Sequence, residues 1–123
     1  MTTALILFAH GARDPEWAKP MRRVQAAIRQ RVSGTPVELA FLEFMTPTLP
    51  EQAAELIAQG ADRIVVMPMF IACGGHLKME TPQMLDALRA TYPKVEFSLG
   101  NAIGEHEAVV QAMAAATLDT AGL

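Results

Sequence analysis

Arg63-Ile64-Val65-Val66-Met67-Pro68-Met69-Phe70-Ile71-Ala72-Cys73-Gly74-Gly75-His76-Leu77-Lys78-Met79-Glu80-Thr81-Pro82 passes from the most strand-like run of the chain, through a glycine loop, toward a helical pattern. Ile64, Val65 and Val66 favour an extended backbone, and Pro68 stops the strand. The paired glycines permit a sharp turn and a close backbone approach, and His76 follows them directly. Two earlier apolar runs end in a similar way. Residues 4–9 lead into His10-Gly11, and residues 37–42 lead into Glu43.

The same alternation extends along the whole chain. The unbroken apolar run 4–9 reads as a strand covered on both faces. Asp14-Pro15 opens a helix, and Trp17, Met21, Val24, Ile28 and Val32 recur at helical steps until Ser33-Gly34. After the second strand, Thr48 and Glu51 stand at capping-box spacing before a helix with Leu49, Ala53, Leu56 and Ile57 inward, closed by Gly60. Thr81-Pro82 is the expected start of a third helix, with Leu85 and Leu88 inward and Tyr92-Pro93 as its stop. Residues 95–99 alternate more and suit an edge strand. Gly104-Glu105 then leads into a last helix, expected to turn Val109, Val110 and Met113 inward. The order βαβαβαβα predicts an α/β fold: a single four-stranded parallel sheet flanked by helices on both faces. In such sheets ligands bind beyond the carboxyl ends of the strands, which is where His10, Glu43 and His76 fall.

Composition narrows the function. A chain of 123 residues suits one domain, 1–123, and half of it is hydrophobic, which excludes disorder. A net charge of −3 with no basic run argues against nucleic acid as a partner. The apolar run near the start is too short for a signal peptide or a membrane span. The single cysteine, Cys73, suits a reducing cytoplasm. Eight methionines suit an adaptable core or an apolar bed for a flat ligand.

His10 is a candidate metal ligand, general base or phosphate acceptor, and His76 shares these options. Glu43, leaving an apolar strand, suits proton transfer. Together they resemble a transition-metal site with open positions, although their wide dispersal is no local metal motif. HExxH, CxxC, P-loop and GxGxxG patterns are absent, and the only serines are Ser33 and Ser98. Arg13 and Lys78, near the two histidines, suit an anionic ligand. Glu80 is expected to support the start of the third helix, and His106 to be solvated.

Four segments carry a family resemblance: Phe8-Ala9-His10-Gly11-Ala12-Arg13-Asp14-Pro15, Glu43-Phe44-Met45-Thr46-Pro47-Thr48-Leu49, Ile64-Val65-Val66-Met67-Pro68-Met69-Phe70 and Gly74-Gly75-His76-Leu77-Lys78. In this order they resemble the short-form sirohydrochlorin chelatases of the CbiX type, members of the class II chelatases. Ala12 stands where a serine is usual, and Glu80-Thr81-Pro82 where an Asp-Ile-Pro type of sequence is common.

The resemblance implies insertion of Co²⁺ or Fe²⁺ into sirohydrochlorin, in cobalamin or sirohaem synthesis, with Ni²⁺ a related possibility. It implies no nucleotide and no cofactor beyond the metal substrate. His10 and His76 match the family's catalytic histidines and Glu43 its acidic partner; all three are also expected to hold metal. Arg13, Lys78, Gly74, Gly75, Met45, Met69 and Phe70 are expected to bind the polycarboxylate ring. Longer members resemble two such halves fused, so a homodimer is expected. The alternatives are a non-catalytic metal or tetrapyrrole carrier and a phosphohistidine enzyme. The latter is disfavoured because Ala9, not arginine, precedes His10.

Overall fold

Ala4, Ile6 and Phe8 project to one face of their strand and Leu7 and Ala9 to the other, and all five are buried. A strand apolar on both faces belongs at the centre of a sheet, and here it has a neighbour on each side. The computed structural model describes residues 1–123. The strands are β1 (Thr3–Ala9), β2 (Val37–Phe41), β3 (Arg63–Pro68) and β4 (Glu96–Leu99), in the order β2-β1-β3-β4. All pairings are parallel, with Leu7 opposite both Leu39 and Met67. The expected edge position of the fourth strand is therefore observed.

The helices are α1 (Lys19–Arg29), α2 (Leu49–Ala58), α3 (Gly75–Thr91) and α4 (Glu107–Ala121); short 3₁₀ turns at Pro15–Ala18 and Ile103–Glu105 precede α1 and α4. On one face of the sheet, Ile6, Phe8, Ile64, Val66 and Phe97 pack with Leu49, Ala53 and Leu56 of α2 and Leu85 and Leu88 of α3. On the other, Leu7, Val37, Leu39 and Phe41 meet Ala18 and the inner side of α1.

The α2 start follows its sequence signature. Thr48 Oγ1 accepts from Glu51 N–H at 3.3 Å, and Glu51 Oε1 accepts from Thr48 N–H at 2.9 Å. That backbone bond holds the Glu51 carboxyl below its usual value. A lowered folded-state pKa stabilises above the unfolded value, and the gain is lost as pH falls through the folded value. Thr48→Ala is expected to cost about 1 kcal/mol in chemical denaturation. Glu51→Gln should remove this contribution to the acid limb of the stability curve.

Three expectations about helices are corrected. The first helix is shorter than its periodicity suggested: Trp17 sits on the 3₁₀ turn and Val32 lies beyond Arg29, both exposed. The third helix begins at Gly75, not Thr81, and Pro82 lies inside it. Thr81, Leu85 and Leu88 are buried, whereas Gly75–Glu80 carries no buried residue.

The fourth helix does not turn Val110 and Met113 inward; they are 40% and 39% exposed, and no residue of α4 is buried. Alanines at 108, 112, 114, 115, 116 and 121 spread apolar surface around the whole helix, so its pattern selects no face. The sheet face that such a helix would cover stays partly open, with Val65 and Met67 half-buried.

Candidate active site

The β1–β2 pairing continues past the end of β2, where Leu42 N–H donates to the Ala9 carbonyl at 2.8 Å. The next residues on the two chains, His10-Gly11 and Glu43, therefore leave the sheet side by side. His10 Nδ1 lies 2.9 Å from Glu43 Oε1, and Gly11 N–H donates to Glu43 Oε2 at 3.3 Å. The backbones meet so closely that a Cβ on Gly11 would lie 1.8 Å from the Glu43 carbonyl oxygen. Only glycine fits at position 11, and this contact sets the distance between the two functional side chains.

Both carboxylate oxygens of Glu43 are engaged within the chain. A carboxylate only accepts, so His10 Nδ1 carries the hydrogen, and in the neutral ring Nε2 is the nitrogen with the free lone pair. The Phe70 ring backs the imidazole at 4.6 Å between centroids, and the Trp17 indole donates to the His10 carbonyl at 2.9 Å. The pair is half-exposed, with side-chain accessibilities of 44% for His10 and 37% for Glu43. A ligand can reach the imidazole without any rearrangement of the core.

Beyond Glu43 the backbone reverses within three residues. Met45 N–H donates to the Glu43 carbonyl at 2.8 Å, and Phe44 adopts φ 65°. Such a γ-turn is strained for a bulky residue, and it leaves Phe44 66% exposed beside the pair. The Arg13 guanidinium stands 5.4 Å from the Phe44 ring centroid. Phe44 was not singled out from the sequence; an aromatic directly after a candidate acid was the available signal.

His76 does not join this pair. It occupies the first turn of α3, where its Nε2 lies 2.8 Å from Glu80 Oε1, four residues on, and its side chain is 87% exposed. No three His, Cys, Asp or Glu side chains lie close enough together to hold a metal ion. The expected three-ligand set is thus two imidazole–carboxylate pairs at the carboxyl end of the sheet. The cause is the early start of α3: a helical turn puts residues 76 and 80 on one face and gives His76 its own carboxylate. Glu80, a weaker candidate than Glu43 and expected to support a helix start, is that partner.

The remaining candidates divide. Met69 lines a hollow of about 220 Å³ with Ala9, His10, Trp17, Pro20 and Met21. Met45 packs beneath Gly11. Phe70 is only 4% exposed, so it supports His10 instead of offering a bed to a flat ligand. Exposed apolar surface comes instead from Phe44, Ile71 and Met79, which are 66%, 72% and 67% exposed.

Lys78 lines a second hollow of similar size with Thr81, Asn101 and Glu105. Gly74 has φ −65°, and a Cβ at either Gly74 or Gly75 would meet nothing. The close approach expected of these glycines is not made within this chain; they leave the amino end of α3 uncrowded. No helix is long and apolar enough to cross a membrane.

The CbiX family model matches residues 4–120. A sirohydrochlorin cobaltochelatase of Methanococcus aeolicus is 37% identical over 82 residues, covering 67% of this chain and 57% of that protein. A sirohydrochlorin cobaltochelatase of Saccharolobus solfataricus is 32% identical over 111 residues, 85% of each chain. The crystal structure of the sirohydrochlorin chelatase SirB from Bacillus subtilis subspecies spizizenii, in complex with cobalt, superposes with a TM-score of 0.82 at 28% identity. That superposition covers 97% of this chain and 51% of SirB. The chain therefore spans little more than half the length of the Methanococcus protein and of SirB.

Proposed function

The chain belongs to the CbiX family, and from that premise we propose that it is a sirohydrochlorin metal chelatase, inserting Co²⁺ or Fe²⁺ into the ring without nucleotide or resident cofactor. The observation that carries this reading is the His10–Glu43 bond, which fixes the imidazole and leaves Nε2 unoccupied at an accessible rim. The names of the relatives from Methanococcus and Saccharolobus, and the cobalt complex of SirB, supply the substrate and metal class.

The chemistry follows from the groups present. A hydrated divalent ion must exchange water for ring nitrogens, and two pyrrole N–H protons must leave as it binds. A neutral imidazole holds such an ion while remaining a replaceable ligand. His10 takes this role, and Glu43 positions it by fixing the ring and its tautomer. The two imidazole–carboxylate pairs, His10–Glu43 and His76–Glu80, offer two stations for two departing protons. Arg13, Lys78 and the uncrowded amino end of α3 at Gly74-Gly75 face the substrate's carboxylates. Met45, Met69 and the exposed Phe44 contact its ring.

One sheet provides one wall of a cleft, and about half of SirB lies outside the match, room for a second unit of this size. The working form is accordingly a homodimer of two such domains, acting in the cytoplasm, where Cys73 stays reduced.

Anaerobic absorption spectroscopy of sirohydrochlorin with purified protein and Co²⁺, Fe²⁺ or Ni²⁺ in turn tests the proposal. Many turnovers per protein, above the rate without protein, are expected for at least one metal. A signal that stops at stoichiometric binding identifies a carrier instead.

A further inference from the structure

The charges of this chain are segregated. Residues 13–31 hold six of its ten Lys and Arg but two of its thirteen Asp and Glu, so this segment carries +4 on a chain whose total is −3. The rest of the chain carries −7, and α2 and α4 hold acids with no Lys or Arg at all. The cations are spaced along α1 and the loop before it, not gathered in a run. Lys19 and Arg29 pair with Glu16 and Glu38, whereas Arg13, Arg22, Arg23 and Arg31 are exposed and form no ion pair.

Helix stability does not explain this placement. The amino end of a helix is its positive end, where carboxylates are favoured and cations are not. Glu51 and Glu107 follow that rule in the first turns of α2 and α4. The first turn of α1 has no acid; it opens with Lys19, and Arg22 and Arg23 follow within five residues. A locally unfavourable choice of this kind points to a ligand that the charges serve.

The amino end of α1 is also the end beside the site. Arg29, at the other end, donates to the carbonyl of Val37, where β2 begins, at 2.9 Å. Pro20 and Met21 line the hollow next to His10. Arg22 lines another, of about 200 Å³, with Phe41, Thr46 and Pro47, at the foot of the loop that carries Glu43. Arg13 stands over Phe44 on the same loop.

We propose that the amino-terminal half of α1, through Arg22 and Arg23, is an electrostatic landing face that steers a polycarboxylate ring to the His10 edge of the site. The proposal rests on the chelatase reading and adds the route by which the ring arrives. Steering needs no fixed contact, because unpaired surface charges act over a Debye length, about 8 Å at physiological ionic strength. The acidic remainder of the surface repels the same ring, so approach from α1 is favoured over approach from α2 or α4.

The sign of the salt dependence separates a local field from net charge. A protein of net charge −3 that met a polyanion through its net charge alone would bind it faster as salt rises. Steering by α1 requires the opposite.

Stopped-flow quenching of Trp17, the only tryptophan and exposed beside His10, measures association of sirohydrochlorin without metal and without turnover. The wild-type rate is expected to fall at least about 10-fold as the Debye length shrinks from about 30 Å at 0.01 M salt to about 3 Å at 1 M. Arg22→Glu with Arg23→Glu should slow association at least about 10-fold at low salt and make it rise with salt. The thermal transition should hold, since carboxylates suit that end of the helix. Lys94→Glu, just before β4, should slow association less than about 2-fold. A wild-type rate that is flat or rises with salt overturns the proposal and leaves the chelatase reading standing. So does an α1 variant no slower than Lys94→Glu. Absence of binding at every salt concentration, by quenching and by equilibrium dialysis, overturns both.

Discussion

His10→Ala is expected to lower metal insertion into sirohydrochlorin by at least about 100-fold, with the thermal transition of the protein nearly unchanged. The imidazole is half-exposed and lies outside the buried core, so its loss opens no cavity. Its Nε2 is the one fixed and unoccupied ligand beside Glu43. Glu43→Gln separates positioning from ligation: the amide can keep a hydrogen bond to Nδ1 by donating, which moves the imidazole hydrogen to Nε2. That variant should lose turnover and shift the pH profile while still binding the ring. His76→Ala should also abolish insertion, since His76 heads the second imidazole–carboxylate pair. Near wild-type turnover in both histidine variants would remove the chelatase assignment to this rim.

Gly11→Ala is expected to damage both stability and turnover. Its new methyl would stand 1.8 Å from the Glu43 carbonyl oxygen and 3.0 Å from the carbonyl carbon, against backbone that cannot swing aside as a side chain can. The two strand exits must separate, at a cost of about 1–3 kcal/mol or more. His10 then parts from Glu43, so activity should fall as far as in His10→Ala. Gly74→Ala is the stability control: its Cβ meets nothing and its φ is ordinary, so the denaturation midpoint should stay put. If Gly11→Ala melts and turns over like the wild type, the close approach does not govern the site.

Much of this arrangement was readable because the strands are short, apolar and bounded by recognisable residues. Residues 4–9 read as a strand covered on both faces, and Thr48 with Glu51 announced the start of α2. The parallel order then put His10 and Glu43 at one end of the sheet. What stayed illegible depended on contacts between distant segments. A close backbone approach was expected of Gly74-Gly75, yet Gly11 and Gly104 are the glycines pressed against backbone distant in sequence. Phe70 looked like a ligand surface because burial by Phe8 and His10 cannot be read from neighbours in sequence. The start of α3 was hidden by Pro82, which usually marks a first turn but here interrupts a longer helix. The placement of α4 was hidden because a helix rich in alanine carries no directional pattern.

The interruption at Pro82 gives α3 unequal ends. Proline brings no hydrogen to the carbonyl of Lys78, so the helical ladder lacks a rung between the part rooted by Leu85 and Leu88 and the part bearing His76 and Glu80. The leading turns hold no fully buried residue and reach the core through the half-buried Leu77, so their amides should exchange with deuterium sooner than those of the trailing turns. His10 stands on backbone bonded to a neighbouring strand exit, whereas His76 stands on helical turns beyond the missing rung, so the two imidazoles differ in how firmly they are fixed.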